Sequence, residues 1–155
     1  MIDSTVKLAT PALERRRIRV AIDRPAHVVA RANRDHVTQV LLNLLQNAAR
    51  YADEGSRVTV RANASAEAAR ISVTNTGTTI APADLPRIFE RFYRADKSRN
   101  RASGGQGLGL ALTKERIEAN GGAIAADAAH CAPPAWLPPP RAWSPPPAGS
   151  RDGTR

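Results

Sequence analysis

The chain has 155 residues, a formal net charge of +9, one cysteine and an aromatic content of 4%. This length suits one domain with one core, and we find neither an 18-residue apolar run nor a charged-then-apolar leader, so no membrane span or signal peptide is expected. One cysteine excludes an internal disulfide framework and a Cys-rich metal site, which favours the reducing cytoplasm. Few aromatic residues are available to stack on bases, which makes nucleic acid an unfavoured partner.

The first third of the chain is predicted to contain a short helix, two strands and a long helix. Residues 4–13 have a loosely helical apolar pattern. Residues 17–22 alternate charged and apolar side chains, as a half-buried strand does, and 27–30 are predicted to form a second short strand. A long helix follows over 34–51, for which Asn33 is a suitable N-cap.

A β-hairpin and a long loop are predicted for the middle of the chain. Residues 57–62 and 69–75 both alternate and are joined by a small polar turn, which indicates antiparallel strands. Pro82 suits the start of a short helix over 81–89. The polar, glycine-ended stretch 93–107 is too long for an ordinary connection and is typical of a functional lid or a disordered loop.

The composition changes abruptly in the C-terminal part. A second long helix is predicted over 108–119, ended by a C-cap signal at 120–122, and 123–126 is a weak strand. From His130 onward the chain holds eight of its twelve prolines and no apolar periodicity. We therefore expect this tail to be disordered or polyproline-like.

The predicted helix over 34–51 carries a polar stripe on an otherwise apolar surface. Buried amides need partners, so one interpretation is that Asn43 and Asn47 bond to loop backbone groups. The alternative is that Asn47 holds a hydrated Mg²⁺ through its side-chain oxygen, because magnesium takes few protein ligands and bridges to phosphates. Arg50 would then meet a phosphate and Tyr51 the face of a purine. The stripe consists of Gln39, Asn43, Gln46, Asn47 and Arg50.

A glycine-rich stretch at 104–112 runs directly into the second predicted long helix. Glycines let the backbone approach a ligand closely, and a helix N-terminus offers free N–H groups to a phosphate. A flexible hinge would have the same composition. The cations that precede the stretch suit a nucleotide polyphosphate at least as well as a DNA backbone; they are Arg87, Arg91, Arg94, Lys97, Arg99 and Arg101.

A second glycine turn follows the predicted strand over 69–75. Gly77 would let the backbone turn close to a ligand, and Asn75 can accept a hydrogen bond from the exocyclic amine of adenine. The competing interpretation is an ordinary turn after a strand, since Asn tolerates the left-handed conformation. The apolar residues after this turn are interpreted as a hinge before the long loop or as core packing; they are Ile88, Phe89, Phe92 and Tyr93.

Four of these segments, in this order and spacing, resemble the motifs of bacterial sensor histidine kinases. Asn43–Tyr51 resembles the N box, Asn75–Ile80 the first glycine box, Ile88–Arg94 the F box and Gly105–Leu110 the second glycine box. The resemblance covers roughly residues 5–127 and implies the Bergerat-type fold, an α/β two-layer sandwich with a mixed sheet and helices on one face. The F box separates the chain from gyrase-type, chaperone and mismatch-repair relatives.

The resemblance implies binding of ATP with Mg²⁺ and transfer of the γ-phosphoryl group to a histidine on another chain or a missing domain. It assigns catalytic roles to Asn47 and Arg50, and the metal to Asn47 with Asn43 as a second candidate. Its partners are a phosphoacceptor histidine domain and a response regulator, and a full-length parent would be anchored in the membrane. The implied nucleotide contacts are Asn43, Asn47, Arg50, Tyr51, Asn75, Gly77, Ile80, Phe89, Arg94, Lys97, Gly105, Gly107, Leu108, Gly109 and Leu110.

The chain departs from the family pattern in three places. The family usually has Asp where Asn75 stands, which weakens the expected adenine recognition. The three histidines, His27, His36 and His130, lack the acidic and proline context of a phosphoacceptor. The proline-rich tail replaces the last two strands of the family, so we expect the C-terminal strands to be missing.

From the resemblance and these departures we derive the expected domain boundaries and two alternative functions. Residues 1–16 are interpreted as the end of a preceding helical region or linker, 17–127 as the ATP-binding domain and 128–155 as a disordered or frame-altered tail. One alternative is a defective kinase remnant that acts as a weak nucleotide-binding or docking module. Another is an anti-sigma-factor-type serine kinase, against which the F box argues.

Overall fold

The computed structural model describes residues 1–26, 28–65, 68–95, 106–127 and, for the backbone alone, 134–137. The strands form one sheet in the order β1-β2-β3-β5-β4, in which β1 and β2 are parallel and the other neighbours antiparallel. The predicted mixed sheet is therefore confirmed. No helix in these ranges combines the length and apolarity that a membrane crossing needs. In chain order the elements are α1 (Ile2–Glu14), β1 (Arg19–Asp23), α2 (Arg34–Tyr51), β2 (Arg57–Ala64), β3 (Ala69–Asn75), α3 (Gly109–Glu118), β4 (Ala123–Ile124) and β5 (Pro134–Leu137).

The helices cover one face of the sheet, as the resemblance implied. Buried and half-buried residues alternate along β3, which is the pattern of a strand with one face in the core. Helix α2 contacts both α1 and α3 and buries Leu41 and Leu45 completely or nearly so. The predicted N-cap is confirmed, because Asn33 Oδ1 accepts hydrogen bonds from the backbone N–H groups of Asp35 and His36 at 2.9 and 3.1 Å.

Helix α1 is longer than predicted and packs into the same core. It runs through Pro11 and buries Val6, Ala9 and Leu13. Proline removes one backbone hydrogen bond, and the burial of this apolar stripe against α2 offsets that loss. Residues that we interpreted as the end of a preceding region thus share a core with the predicted ATP-binding domain.

Two short predicted elements differ in the structure. Residues 28–30 have no regular structure, and His27 lies outside the described residues. Val28 and Ala30 pack on the core from an irregular segment, so their alternation reflects burial without strand pairing. The predicted helix over 81–89 is a succession of turns, because Pro86 has no N–H with which to continue a helical ladder.

The tail also differs from its prediction. We expected no strand after residue 127, yet four residues form β5, which lies between β3 and β4 with Ala69 opposite Leu137 and Ile71 opposite Ala135. Pro134 is the first residue of the strand, where a missing N–H is tolerated. The physical reason is the free edge of β3, whose backbone groups need partners. The remaining tail residues lie outside the described part of the chain.

Truncating the tail before or after β5 should show how much this strand contributes to the stability of the protein. A chain that ends at Asp127 should have a free energy of unfolding at least about 1 kcal/mol lower than a chain that ends at Leu137, because β3 and β4 both lose their hydrogen-bonded neighbour. Chemical denaturation of the two truncated proteins gives this difference. Equal stabilities would show that β5 contributes nothing and that the disorder expected from composition describes the tail better.

Candidate functional site

The two amides of the polar stripe on α2 have different surroundings. Asn43 Nδ2 donates to Gly109 O and to Thr113 Oγ1, both at 3.3 Å, and Asn43 Oδ1 accepts from Gln39 Nε2 at 3.2 Å. The interpretation that a stripe amide bonds to backbone groups therefore holds for Asn43. Asn47, one turn later, is half-buried, and its side chain has no hydrogen-bond partner among the described residues. Asn47 is thus the amide whose oxygen remains available to a ligand.

Thr113 is a site residue that the sequence analysis missed. Its side chain is completely buried, and its hydroxyl donates to Gly109 O at 2.9 Å while it accepts from Asn43. We call these three residues, Asn43, Thr113 and Gly109, the α2–α3 clamp. The clamp fixes the first turn of α3 relative to α2, and a polar residue four positions after a helix-starting glycine is the only sequence signal that could have found it.

Replacing Thr113 by valine should loosen this clamp. Valine has a similar shape but no hydroxyl, so the half-buried amide of Asn43 keeps only Gly109 O as an acceptor. We expect a loss of about 1–2 kcal/mol in the free energy of unfolding, measured by chemical denaturation. Thr38→Val is the matched control, because Thr38 makes the same bond to the carbonyl four residues earlier, Arg34 O at 2.8 Å, and this bond is exposed to solvent. Equal effects of the two substitutions would show that the clamp adds nothing beyond an ordinary helical hydroxyl.

The C-terminal end of α2 meets the first glycine box directly. Ala52 forms an isolated bridge with Gly77, Asp53 N–H donates to Thr76 O at 2.9 Å and Thr78 N–H donates to Tyr51 O at 3.2 Å. Gly77 has φ +150°, and a Cβ there would lie 2.8 Å from the Cα of Ala52 and closer still to Tyr51 O. Only glycine fits this contact, so the N box and the first glycine box are joined through their backbones.

Asn75 ends β3 beside this contact. It is buried, and its Nδ2 makes only a long hydrogen bond of 3.4 Å to Thr76 O. Its Oδ1 has no partner among the residues that the structure describes. Ile80 is half-buried, and Tyr51 keeps 44% of its surface exposed. An amide oxygen without a partner in the described ranges thus lies at the end of β3, and the turn that follows β3 is hydrogen-bonded to the backbone of the exposed Tyr51, which is a suitable environment for a base.

The F box and the second glycine box are also brought together. Phe92 N–H donates to Gly107 O at 3.0 Å, and both residues have positive φ, 64° and 70°. A Cβ on Gly107 would lie 2.9 Å from the carbonyl carbon of Phe92 and 3.0 Å from Tyr93 O. The two ends of the loop predicted over 93–107 therefore touch. Phe89 is half-buried whereas Phe92 is exposed, so the predicted apolar hinge is only partly core packing.

Polar side chains anchor the F box on both sides. The Arg91 guanidinium makes two hydrogen bonds, of 2.5 and 3.0 Å, to Glu115 Oε1 on α3. Tyr93 OH donates to Asp84 Oδ1 at 2.5 Å, and this hydrogen bond to a carboxylate raises the pKa of Tyr93. Arg87 lies 4.2 Å from the centre of the Tyr93 ring. These anchors were not predicted, because they depend on which surfaces meet.

Two cations near the boxes remain without ion pairs. Arg50 on α2 is exposed and Arg94 after the F box is half-buried, and neither side chain pairs with an acid within the described ranges. Lys97 and Gly105, which the sequence analysis also assigned to the site, lie outside the described residues. Arg50 and Arg94 are therefore two described cations near the boxes that are free to meet an anion.

The N-terminus of α3 differs from that of α2. Where Asn33 caps α2, the position before α3 is occupied by Leu108, and no side chain of the described chain caps the helix. Gly109 is exposed, and nothing lies within 4 Å of the position that a Cβ would take. Leu110 instead packs on the core and holds the helix in place. The first N–H groups of α3 are thus accessible to a phosphate group.

The sequence of this chain is similar to those of known ATPases and sensor histidine kinases. The sequence profile described as "Histidine kinase-, DNA gyrase B-, and HSP90-like ATPase" matches residues 32–151. Sensor histidine kinase WalK of Bacillus subtilis is 46% identical over 97 residues, which are 61% of this chain and 16% of that protein. The chain therefore spans only a small part of the length of the curated relatives it matches.

Two solved structures are similar over most of the chain. Mycobacterial sensor histidine kinase MprB has a TM-score of 0.73 and 29% identity, with 88% of this chain and 92% of that chain covered. Full-length ShkA, solved in complex with AMPPNP, has a TM-score of 0.73 and 28% identity, with 95% of this chain and 30% of that chain covered. By the extent of the profile match, this chain belongs to the family of histidine kinase-, DNA gyrase B- and HSP90-like ATPases.

Proposed function

We propose that this chain is the ATP-binding catalytic domain of a two-component sensor histidine kinase. In this role it transfers the γ-phosphoryl group of ATP to a histidine on another chain or domain. The observation that carries the proposal is the convergence of four separate motifs: α2 joins the first glycine box through Gly77 and the second glycine box through Gly109, while Gly107 meets the F box at Phe92. The kinase relatives support the same conclusion.

The adenine end of the site lies at the first glycine box. Asn75 Oδ1 has a free lone pair with which to accept the N–H of the exocyclic amine of adenine. Gly77 lets the backbone pass close to the base, and the exposed ring of Tyr51 offers a stacking face. Ile80 and Phe89, both half-buried, supply apolar surface at this end.

Asn47 fits the role of magnesium ligand better than Asn43. Magnesium retains most of its waters and takes one or two protein oxygens besides the phosphates, so a single half-buried amide oxygen without a partner suffices. The amide of Asn43 is already used by Gly109, Thr113 and Gln39. When bound, the ion would neutralise charge on the phosphates.

The phosphates meet the N-terminus of α3 and the unpaired cations. Gly107, Leu108, Gly109 and Leu110 present backbone N–H groups, with Gly105 as the proposed start of this cradle. Arg50 and Arg94, together with Lys97, supply positive charge. Transfer forms a bond from the histidine nitrogen to the γ-phosphorus and breaks the bond to the oxygen of ADP, so the residues of this chain act by positioning and by electrostatic stabilisation.

The remaining parts of the phosphorelay belong to other domains. We assign the histidine that accepts the γ-phosphoryl group to a separate phosphoacceptor histidine domain. That histidine would then pass the phosphoryl group to a response regulator. His36, the one histidine whose surroundings are described, is half-buried with its Nδ1 at 3.1 Å from Asn120 Nδ2, which is unsuitable for in-line attack. The domain would work in the cytoplasm, within a parent anchored in the membrane.

Thermal unfolding with and without Mg-ATP tests the proposal. A ligand at ten times its Kd stabilises the folded state by about 1.4 kcal/mol, which corresponds to a rise in Tm of about 4 °C for a domain of this size. Mg²⁺ alone and ATP with EDTA are the controls. No rise in Tm at millimolar Mg-ATP would refute ATP binding.

Phosphotransfer is tested separately with γ-labelled ATP. The chain alone should form no acid-labile phosphohistidine, whereas addition of a separately purified phosphoacceptor domain should give a labelled product. Label on this chain's own histidines would show that the acceptor was assigned to the wrong domain.

A further inference from the structure

The chain reversal after α1 places Arg16 at the C-terminal end of α2. Arg16 Nη1 donates to Ala49 O at 2.9 Å and to Arg50 O at 2.7 Å. The backbone carbonyl of Arg16 also accepts from Gly55 N–H at 3.0 Å. This residue precedes the segment that the family profile matches, which begins at residue 32.

These contacts satisfy carbonyls that the helix itself cannot satisfy. The last carbonyls of an α-helix have no intrahelical partner. In α2, those of Ala49 and Arg50 are bound by Arg16, and that of Tyr51 is bound by Thr78 N–H of the first glycine box. Arg16 and the first glycine box therefore cap the same helix end together.

We propose that Arg16 is a positioning residue for the nucleotide site, an inference that rests on the proposed function. Its permanent positive charge lies at the negative end of the helix dipole and makes two charge-assisted hydrogen bonds there. The turn that it fixes carries Asn47 and Arg50 and leads into the Tyr51 carbonyl that holds Thr78. Without Arg16 this turn loses two hydrogen bonds, and its contact with the first glycine box loosens.

Local structure explains why Arg16, and not a neighbouring arginine, takes this role. Ile18 is buried and its N–H donates to Leu13 O at 3.0 Å, which anchors the reversal. Arg17 takes the left-handed conformation, with φ 55°, and its side chain stays 82% exposed beside Glu54. Arg15 is exposed, and no partner of its side chain is found in the described ranges. Only Arg16 points to the end of α2.

Three variants and two measurements test this role. Arg16→Gln removes the charge, Arg16→Lys keeps it, and Arg15→Gln removes one positive charge next to it without touching α2. The Kd for Mg-ATP is measured by calorimetry well below the melting temperature, and the exchange rate of the Thr78 amide is measured by NMR without nucleotide. We expect Arg16→Gln to raise the Kd about three- to tenfold and to speed Thr78 exchange, with a smaller effect of Arg16→Lys in the same direction and none of Arg15→Gln.

The two measurements separate the possible failures. If Arg16 only adds stability, Arg16→Gln lowers the Tm but leaves the Kd and Thr78 exchange equal to those of Arg15→Gln, and the proposal is overturned. If the wild-type chain does not bind Mg-ATP, the proposed function fails, and Thr78 exchange still decides whether Arg16 positions the glycine box. Should Arg16→Gln fold poorly, the comparison of Arg16→Lys with wild type decides the same question.

Discussion

Replacing Asn47 by alanine should abolish magnesium-dependent nucleotide binding while the helix content of the protein stays unchanged. Asn47 is half-buried, and its side chain has no hydrogen-bond partner among the described residues, so alanine breaks no hydrogen bond within that part of the chain. It removes the one protein oxygen that we assign to the metal, so Mg²⁺ should no longer tighten nucleotide binding, and we expect the Kd for Mg-ATP to rise by about tenfold or more. Circular dichroism and calorimetric titration with Mg-ATP measure the two quantities.

Two further substitutions on α2 serve as controls for Asn47→Ala. Gln46→Ala changes an exposed neighbouring amide and should leave both quantities unchanged. Asn43→Ala breaks the α2–α3 clamp and should lower stability more than Asn47→Ala does. If Asn47→Ala lowers the helix content of the protein while the magnesium dependence of nucleotide binding by the remaining folded protein is unchanged, Asn47 is a structural amide and its assignment as ligand is wrong.

Replacing Gly77 by alanine should destabilise the domain more than Thr113→Val or Asn43→Ala does. A Cβ would overlap Tyr51 O and approach the Cα of Ala52 to 2.8 Å, both of them backbone atoms at the end of α2 that cannot rotate away. Alanine also adopts φ +150° only with strain. We expect a loss of about 3 kcal/mol in the free energy of unfolding, measured by chemical denaturation.

Gly55→Ala separates steric overlap from backbone strain. Gly55 also has positive φ, 75°, but nothing lies within 4 Å of the position of its Cβ. This substitution therefore carries only the conformational cost, about 1 kcal/mol. If Gly77→Ala were no more destabilising than Gly55→Ala, the close contact between α2 and the first glycine box would not exist as described, and the joining of the two boxes would be in doubt.

The main elements could be predicted because their causes are local. The apolar stripe and the Asn33 cap predict α2, the alternation over 57–62 and 69–75 predicts the hairpin, and the glycines at 121 and 122 predict the end of α3. In the structure Gly121 has φ 72°, and Gly122 N–H donates to Ile117 O at 3.0 Å, as a glycine C-cap requires. Each signal acts within a few residues, so the sequence alone carries it.

The elements that differed depend on competition between distant segments. The alternation of Val28 and Ala30 resembles a strand, but burial against the core explains it without pairing. The segment Pro134–Leu137 carries no strand pattern of its own and pairs because β3 and β4 leave backbone groups to satisfy. Amino-acid composition cannot reveal this pairing, because the backbone groups of β3 and β4 need a partner only once the other strands have formed the sheet.

For the site, the sequence by itself determined the candidate residues: the amides of the N box, the glycines of two boxes and the surrounding arginines. The family resemblance already placed Asn47 before Asn43 as the metal ligand, but the residue types alone left open which of these two amides, one helical turn apart, bonds to backbone groups. Only the tertiary structure decided that α3 occupies the amide of Asn43 and leaves that of Asn47 without a partner among the described residues. It likewise brought Arg16 to the end of α2. The reason is physical: a side chain's chemistry is set by its own atoms, but its availability is set by which surfaces pack against it.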